Sequence, residues 1–246
     1  TEAIFDNVRQ ENQAADDDPD VIRISMDAKA KVAVGDYSRD GESRGAEPVK
    51  GLDHDPEPEQ KLVPQGILDV LAGLLSIFIG TSNGTSDFLV DCLEQWWEAN
   101  RARYPHARRL VINLDNGPEN SSHRTQFMNR MVMFADATGL EVKLVYYPPY
   151  HSKYNPVERC WGILANHWNG SLLDSLKVVL GFARTMTWKG THPVVELVTT
   201  TYRTGVTLTK EAMDRVEAQR KRLSPLGKWF VDIVCPDCPP PVAWDT

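Results

Sequence analysis

Three acids stand out by where the sequence puts them. Asp27 interrupts the alternating stretch VIRISMDAKAKVAVGDY, Asp115 ends the apolar run RRLVINLD, and Glu158 lies at the start of NPVERCWGILANHWNG. An ionised carboxylate inside a sheet costs several kcal/mol unless a cation or hydrogen bonds compensate it. A divalent cation does so. Mg²⁺ takes oxygen ligands, typically one or two carboxylates completed by waters and phosphate oxygens, so three converging acids without a His/Cys cluster suit it better than zinc. Each acid also has a plain local reading: Asp27 as a hairpin turn residue, Asp115 as the head of an Asp-Asn-Gly turn, and Glu158 as part of a capping box with Asn155 as N-cap and Pro156 at the first helical position.

The elements that must bring these acids together can be read from periodicity. Val21–Tyr37 alternates through Ile22, Ile24 and Met26 and again through Ala30, Val32 and Val34, which predicts two adjacent strands or a hairpin with Asp27 at the seam. The charged, Gly/Pro-rich stretch 38–64 predicts a surface excursion, and GILDVLAGLLSIFIG a strand or strand pair. A helix follows with Ser86 as its cap and Phe88, Leu89, Cys92, Leu93, Trp96 and Trp97 on one face. RRLVINLD reads as a strand covered on both faces, NGPENSS as a turn, and HRTQFMNRMVMFADATG as a helix stopped by Gly139. LEVKLVYY is the next strand. Pro148 and Pro149 end its pairing, and a polar loop leads into a helix closed by Gly170.

This alternation predicts an α/β sheet with helices on its faces. Residues 1–20 read as a linker remnant, 21–170 as the core with 38–64 inserted, and 171–246 as a helical extension with a proline-rich tail. Trp96, Trp97 and Trp161 fit the core, and His106, His123, His167 and His192 lack ligand spacing.

Composition narrows the function classes. The 246 residues are 41% hydrophobic, enough for a buried core, and the net charge is -7. The acidity is local: residues 1–66 hold 16 acids and 8 bases, and the rest 18 acids and 19 bases. A near-neutral remainder can still carry a basic groove. The longest apolar run, Gly66 to Gly80, falls short of a membrane span. Four scattered cysteines suit a reducing cytoplasm, and Cys235 and Cys238 read as tail rather than as half a zinc site. A first residue of Thr, with no signal-peptide core behind it, reads as a chain that starts mid-protein.

The local motifs say more than the spacing of the acids does. INLDNGPEN and YYPPYHSKYNPVERCWG resemble the second and third catalytic motifs of insertion-sequence DDE transposases, and RISMDAK resembles the first. LVYYPPYHSKYNPVERCWG, HWNGSLL and TTTYRTGVTL are similar to the pattern of the Rhodopirellula-type DDE transposase family over roughly Ile22 to Val216. The resemblance implies a ribonuclease H-like mixed sheet flanked by helices, with Asp27, Asp115 and Glu158 as catalytic residues binding two Mg²⁺ ions, for which Mn²⁺ can substitute. It further implies transposon-end and target DNA as partners, action as a homodimer or larger assembly on DNA, and a bacterial, nucleoid-associated setting. His151, Lys153, Arg159 and Asn120 become candidate DNA contacts. A catalytically silent DNA-binding derivative and a nuclease that cuts without joining remain the alternatives.

Overall fold

The computed structural model describes residues 2–37, 51, 58, 60–148 and 151–234. Its strands are β1 (Val21–Ala28), β2 (Val32–Val34), β3 (Gln60–Asp69), β4 (Leu74–Gly80), β5 (Arg109–Leu114), β6 (Glu141–Tyr146), β7 (Val194–Val198), β8 (Arg220–Arg222) and β9 (Phe230–Ile233). Its α-helices are α1 (Glu2–Asp17), α2 (Ser86–Asn100), α3 (Thr125–Thr138), α4 (Glu158–His167), α5 (Leu176–Thr185) and α6 (Lys210–Gln219). One mixed sheet runs β7-β4-β3-β1-β5-β6-β9-β8, with β2 alongside β3. Strands β1, β5 and β6 are parallel at its centre, and β3 lies antiparallel to β1.

Side-chain parity divides the centre of this sheet into two chemistries, because successive residues of a strand face opposite ways. Ile22, Ile24 and Met26 of β1 and Leu110, Ile112 and Leu114 of β5 join the core built with Phe88, Leu93 and Trp96 of α2 and Phe127, Met131 and Phe134 of α3. The intervening residues, Arg23, Ser25 and Asp27 of β1 and Asn113 of β5, are buried and polar. That second face is covered in sections. Trp161 and Leu164 of α4 and Val179 of α5 pack on Ile77 and Ile79 of β4, while Val8 and Ala15 of α1 pack on Val111, Val145 and Phe230. Arg130 of α3 reaches Asp87, Asp91 and Glu94 of α2 and ties that helix layer together.

Several expectations are corrected. Residues 2–17 are helix α1 rather than a linker remnant. Few of its residues are apolar, and polar bonds dock it: Asp16 to Arg23, Glu11 to Lys143, and Asn12 accepting from Asn113 at 2.8 Å. Strands β1 and β2 do not form a hairpin; β2 pairs with β3. The excursion ends before Gln60, where β3 begins, and most of 38–59 lies outside the described residues. The C-terminal part is not a helical extension alone. β7 pairs with β4 and β9 with β6, so both strands belong to the main sheet. Helix α2 is capped by Thr85, whose side chain accepts from the Phe88 amide, while the Ser86 hydroxyl donates to the Glu119 carbonyl.

The docking of α1 yields a prediction. Arg23 is 8% exposed and grips Asp16 through two 2.6 Å bonds while donating to Asn113 at 3.1 Å. Arg23→Leu is expected to lower unfolding stability by about 2 kcal/mol, less than the cost of breaking a fully buried pair because Asp16 keeps part of its hydration. Amide exchange in residues 2–17 should quicken well before that of β1 or β5; equal quickening everywhere would contradict the docking role.

Candidate active site

The parallel register of β1 and β5 pairs Ser25 with Asn113. Two residues further along each strand direction come Asp27 and Asp115, at the same level and on neighbouring strands whose spacing is about 5 Å. Asp115 lies one residue past the end of β5, and Glu158 opens α4. The carboxylate charges of Asp115 and Glu158 are both felt at Asp27. The three acids are separated by 88 and 43 residues in the chain, yet Asp27 and Asp115 stand on neighbouring strands and the helix that Glu158 opens is bonded to Asp27 through Trp161.

Asp27 is 5% exposed. Burial first, then the charges of Asp115 and Glu158, push its carboxyl up to about 8, against hydrogen bonds from the Trp161 indole and the Ala28 backbone that pull it down. Trp161 Nε1 donates to Asp27 Oδ2 at 2.8 Å. The indole fits there because the residue paired with Asp27 on β3 is Gly66. A Cβ at Gly66 would stand 2.7 Å from the Trp161 ring and 2.9 Å from Val157.

Asp115 is fixed by its own turn. Asn116 adopts a left-handed φ of 61°, the Gly117 amide donates to Asp115 Oδ1 at 3.2 Å, and Asn120 Nδ2 donates to the same oxygen at 2.8 Å. Asn120 is in turn held through its carbonyl, which accepts from the Tyr146 hydroxyl at 2.8 Å. Burial pushes the Tyr146 phenol far above its ordinary range, so it stays a donor.

Glu158 is positioned differently from the capping box that the sequence suggested. Asn155 is not the N-cap; Val157 holds that place in a helical conformation with no side-chain bond. Asn155 is instead bolted to β1. Its Oδ1 accepts from the Ser25 hydroxyl, its Nδ2 donates to the Met26 carbonyl at 3.1 Å, and Ser25 Oγ accepts from the Val157 amide at 3.0 Å. The side chains of Ser25 and Asn155 are fully buried.

The other candidates separate by exposure. Lys153 and Arg159 are exposed on either side of Glu158. The His151 ring packs edge-on against Phe5 of α1 at 5.2 Å and stacks on Tyr154 at 6.1 Å. Asn120, expected at the DNA, is only 7% exposed and its amide is committed to Asp115, so it acts on the carboxylate's position. Cys235, Cys238 and Pro149 lie outside the described residues. The sequence reading missed Ser25, Trp161 and Gly66 as parts of this site, and gave Asn155 a cap in place of its bonds to β1. A glycine inside an apolar strand was the available signal, since it marks a close approach.

The donor set fits a hard divalent cation: the acids offer only oxygen, and their mutual repulsion at Asp27 is what a cation would relieve. Among the described residues there is no group of three or more acid, histidine or cysteine side chains that could hold a metal ion. Mg²⁺ does not need one, because waters and substrate phosphates complete its shell.

The sequence profile of the Rhodopirellula transposase DDE domain family matches residues 1–235. No curated protein sequence matches the chain. Among solved structures it is similar to a Mos1 transposase paired-end complex with left transposon end, at TM-score 0.50 and 10% identity over 72% of this chain and 50% of that one. A Mos1 mariner paired end complex with Mn gives TM-score 0.48 and 11% identity over 72% and 50%. The HTLV-2 integrase catalytic core domain in complex with magnesium gives 0.38 and 16% over 71% and 92%. The fold is of the ribonuclease H-like type, and the chain spans about half the length of the Mos1 chains it matches.

Two outcomes are expected from this geometry. A carboxyl whose folded value near 8 exceeds its ordinary 3.8 favours the fold while protonated, so in the metal-free protein the contribution of Asp27 to stability is full below about pH 4 and is lost as pH rises towards 8. Thermal unfolding across that range tests this, and Asp27→Asn should flatten the slope. Gly66→Ala should push Trp161 off Asp27 and cost about 1–3 kcal/mol in a urea titration, with a shifted indole N–H resonance; an unchanged resonance would refute the contact.

Proposed function

As the chain belongs to the Rhodopirellula transposase DDE domain family, we propose that it is a metal-dependent DNA transposase core. It cuts the phosphodiester bond at a transposon end and joins the released 3′-hydroxyl to target DNA. The observation that carries this reading is the placement of Asp27 and Asp115 on neighbouring parallel strands, with Trp161 of the helix that Glu158 opens bonded to Asp27. These three residues would hold Mg²⁺, or Mn²⁺ in its place. Bound there, a pair of divalent ions would activate the attacking oxygen and stabilise the leaving one in an in-line displacement.

The chain's own groups do the positioning. Trp161 orients Asp27, Asn120 and the Gly117 amide orient Asp115, and the Ser25–Asn155 contact fixes the start of α4 and so the approach of Glu158. Such pre-set geometry limits the reorganisation needed at the moment of reaction. Lys153 and Arg159, exposed beside Glu158, suit contacts to DNA phosphates. Two transposon ends need two active sites, which favours a homodimer or larger assembly on DNA. No helix among the described residues is long and apolar enough to cross a membrane.

A strand-cleavage and strand-transfer assay on DNA carrying the element's ends tests this. The expected result is both products with Mg²⁺ or Mn²⁺, none with EDTA, and a loss of at least about 10³-fold for Asp115→Asn, the scale of several kcal/mol of transition-state stabilisation. Cleavage without joining would make the protein a nuclease. Binding without any cutting would make it a silent DNA-binding derivative.

A further inference from the structure

We propose that the connection between β8 and β9, residues 223–229, is a DNA-backbone contact arm of this site, with Lys228 binding a phosphate of the strand that crosses the three acids. The proposal rests on the DNA-processing reading above.

Topology sets the arm's place. β9 runs antiparallel to β6 with Phe230 beside Val145, so the segment leading into β9 lies at the same end of the sheet as Tyr146 and Asp115. β8 arrives at that end too, since Arg222 pairs with Val231. The arm is then fastened to the Asp115 turn. Arg222 Nη2 donates to the Ser122 carbonyl at 2.7 Å, the Ser122 hydroxyl donates to the Lys228 carbonyl at 2.9 Å, and the Tyr146 amide donates to the Trp229 carbonyl at 2.9 Å. Arg222 Nη1 also closes the arm on itself through the Gly227 carbonyl. Gly227 permits this closure, because a Cβ there would lie 2.8 Å from Arg222 Cβ.

These bonds fix the backbone and leave the Lys228 side chain at the surface. It is exposed, with its ammonium 5.1 Å from the centre of the Trp229 ring. The stretch Arg220–Trp229 holds four bases and no acid, within a chain of net charge -7. Within it Arg220 is paired to Glu217, as Arg108 is to Asp18 and Arg109 to Glu141 elsewhere in the chain. Arg222, by contrast, donates to the Gly227 and Ser122 carbonyls. A backbone-anchored arm that presents the exposed Lys228 ammonium next to β8's basic residues has the form required to grip a polyanion whose reacting phosphate sits at the acidic site.

The salt dependence of DNA binding tests the arm. For the full chain, each phosphate contact contributes about 0.9 to the slope of log affinity against log salt. Lys228→Gln should reduce the slope by about that amount, Lys228→Arg should retain it, and Lys177→Gln on α5 should leave it unchanged. With DNA substrate, Lys228→Gln should raise KM while kcat at saturation holds. An unchanged slope in Lys228→Gln, with Asp115→Asn still abolishing cleavage, would overturn the arm and leave the transposase reading intact. A wild-type chain without salt-dependent DNA affinity would overturn both.

Discussion

The structure depends on one buried polar lock, the contact of Ser25 with Asn155 and the Val157 amide. It joins the middle of the sheet to a loop 130 residues later in the chain. A hydrogen bond of this kind contributes about 1 kcal/mol net, but a buried group left unpaired costs about 1–3 kcal/mol. The Ser25 hydroxyl, the Asn155 side chain, the Val157 amide and the Met26 carbonyl are all bonded here, so shifting α4 by one residue would strand several at once. Each residue of a helix turns the side chain by roughly 100°, and such a shift would carry Glu158 away from the β1 and β5 ends.

The lock works within an arrangement that is locally unfavourable. Like charges are drawn towards Asp27, which is nearly excluded from water, and its carboxyl is raised accordingly. Apolar packing of Trp161, Leu164 and Val157 against the sheet supplies the compensation. Trp161 serves both sides of the balance: its ring is part of the core and its N–H steadies the charge of Asp27. A tryptophan is the side chain that combines a large apolar body with a single donor.

Much of this was legible in the sequence because periodicity and punctuation are local. The apolar face of α2, the strand ending at Asp115 and the left-handed stop at Gly139 follow from residues within one or two turns of each other. Register and partner choice are not local. The failed hairpin of β1 and β2, the entry of β7 and β9 into the sheet and the docking of α1 all arise from tertiary contacts that a short window cannot contain. Asn155 is the sharpest instance. Its position before Pro156 and Glu158 fits a cap by local rules, yet its bonds run to β1.

The late arrival of the outer strands shapes how the chain must be made. β4 and β6 are each flanked by segments encoded after residue 190, so during synthesis both sides of the central sheet stand bare until β7 and β9 emerge. Unpaired margins of that kind recruit other chains. Until β7 and β9 pair, the open margins at β4 and β6 offer unmatched backbone groups to any neighbouring strand.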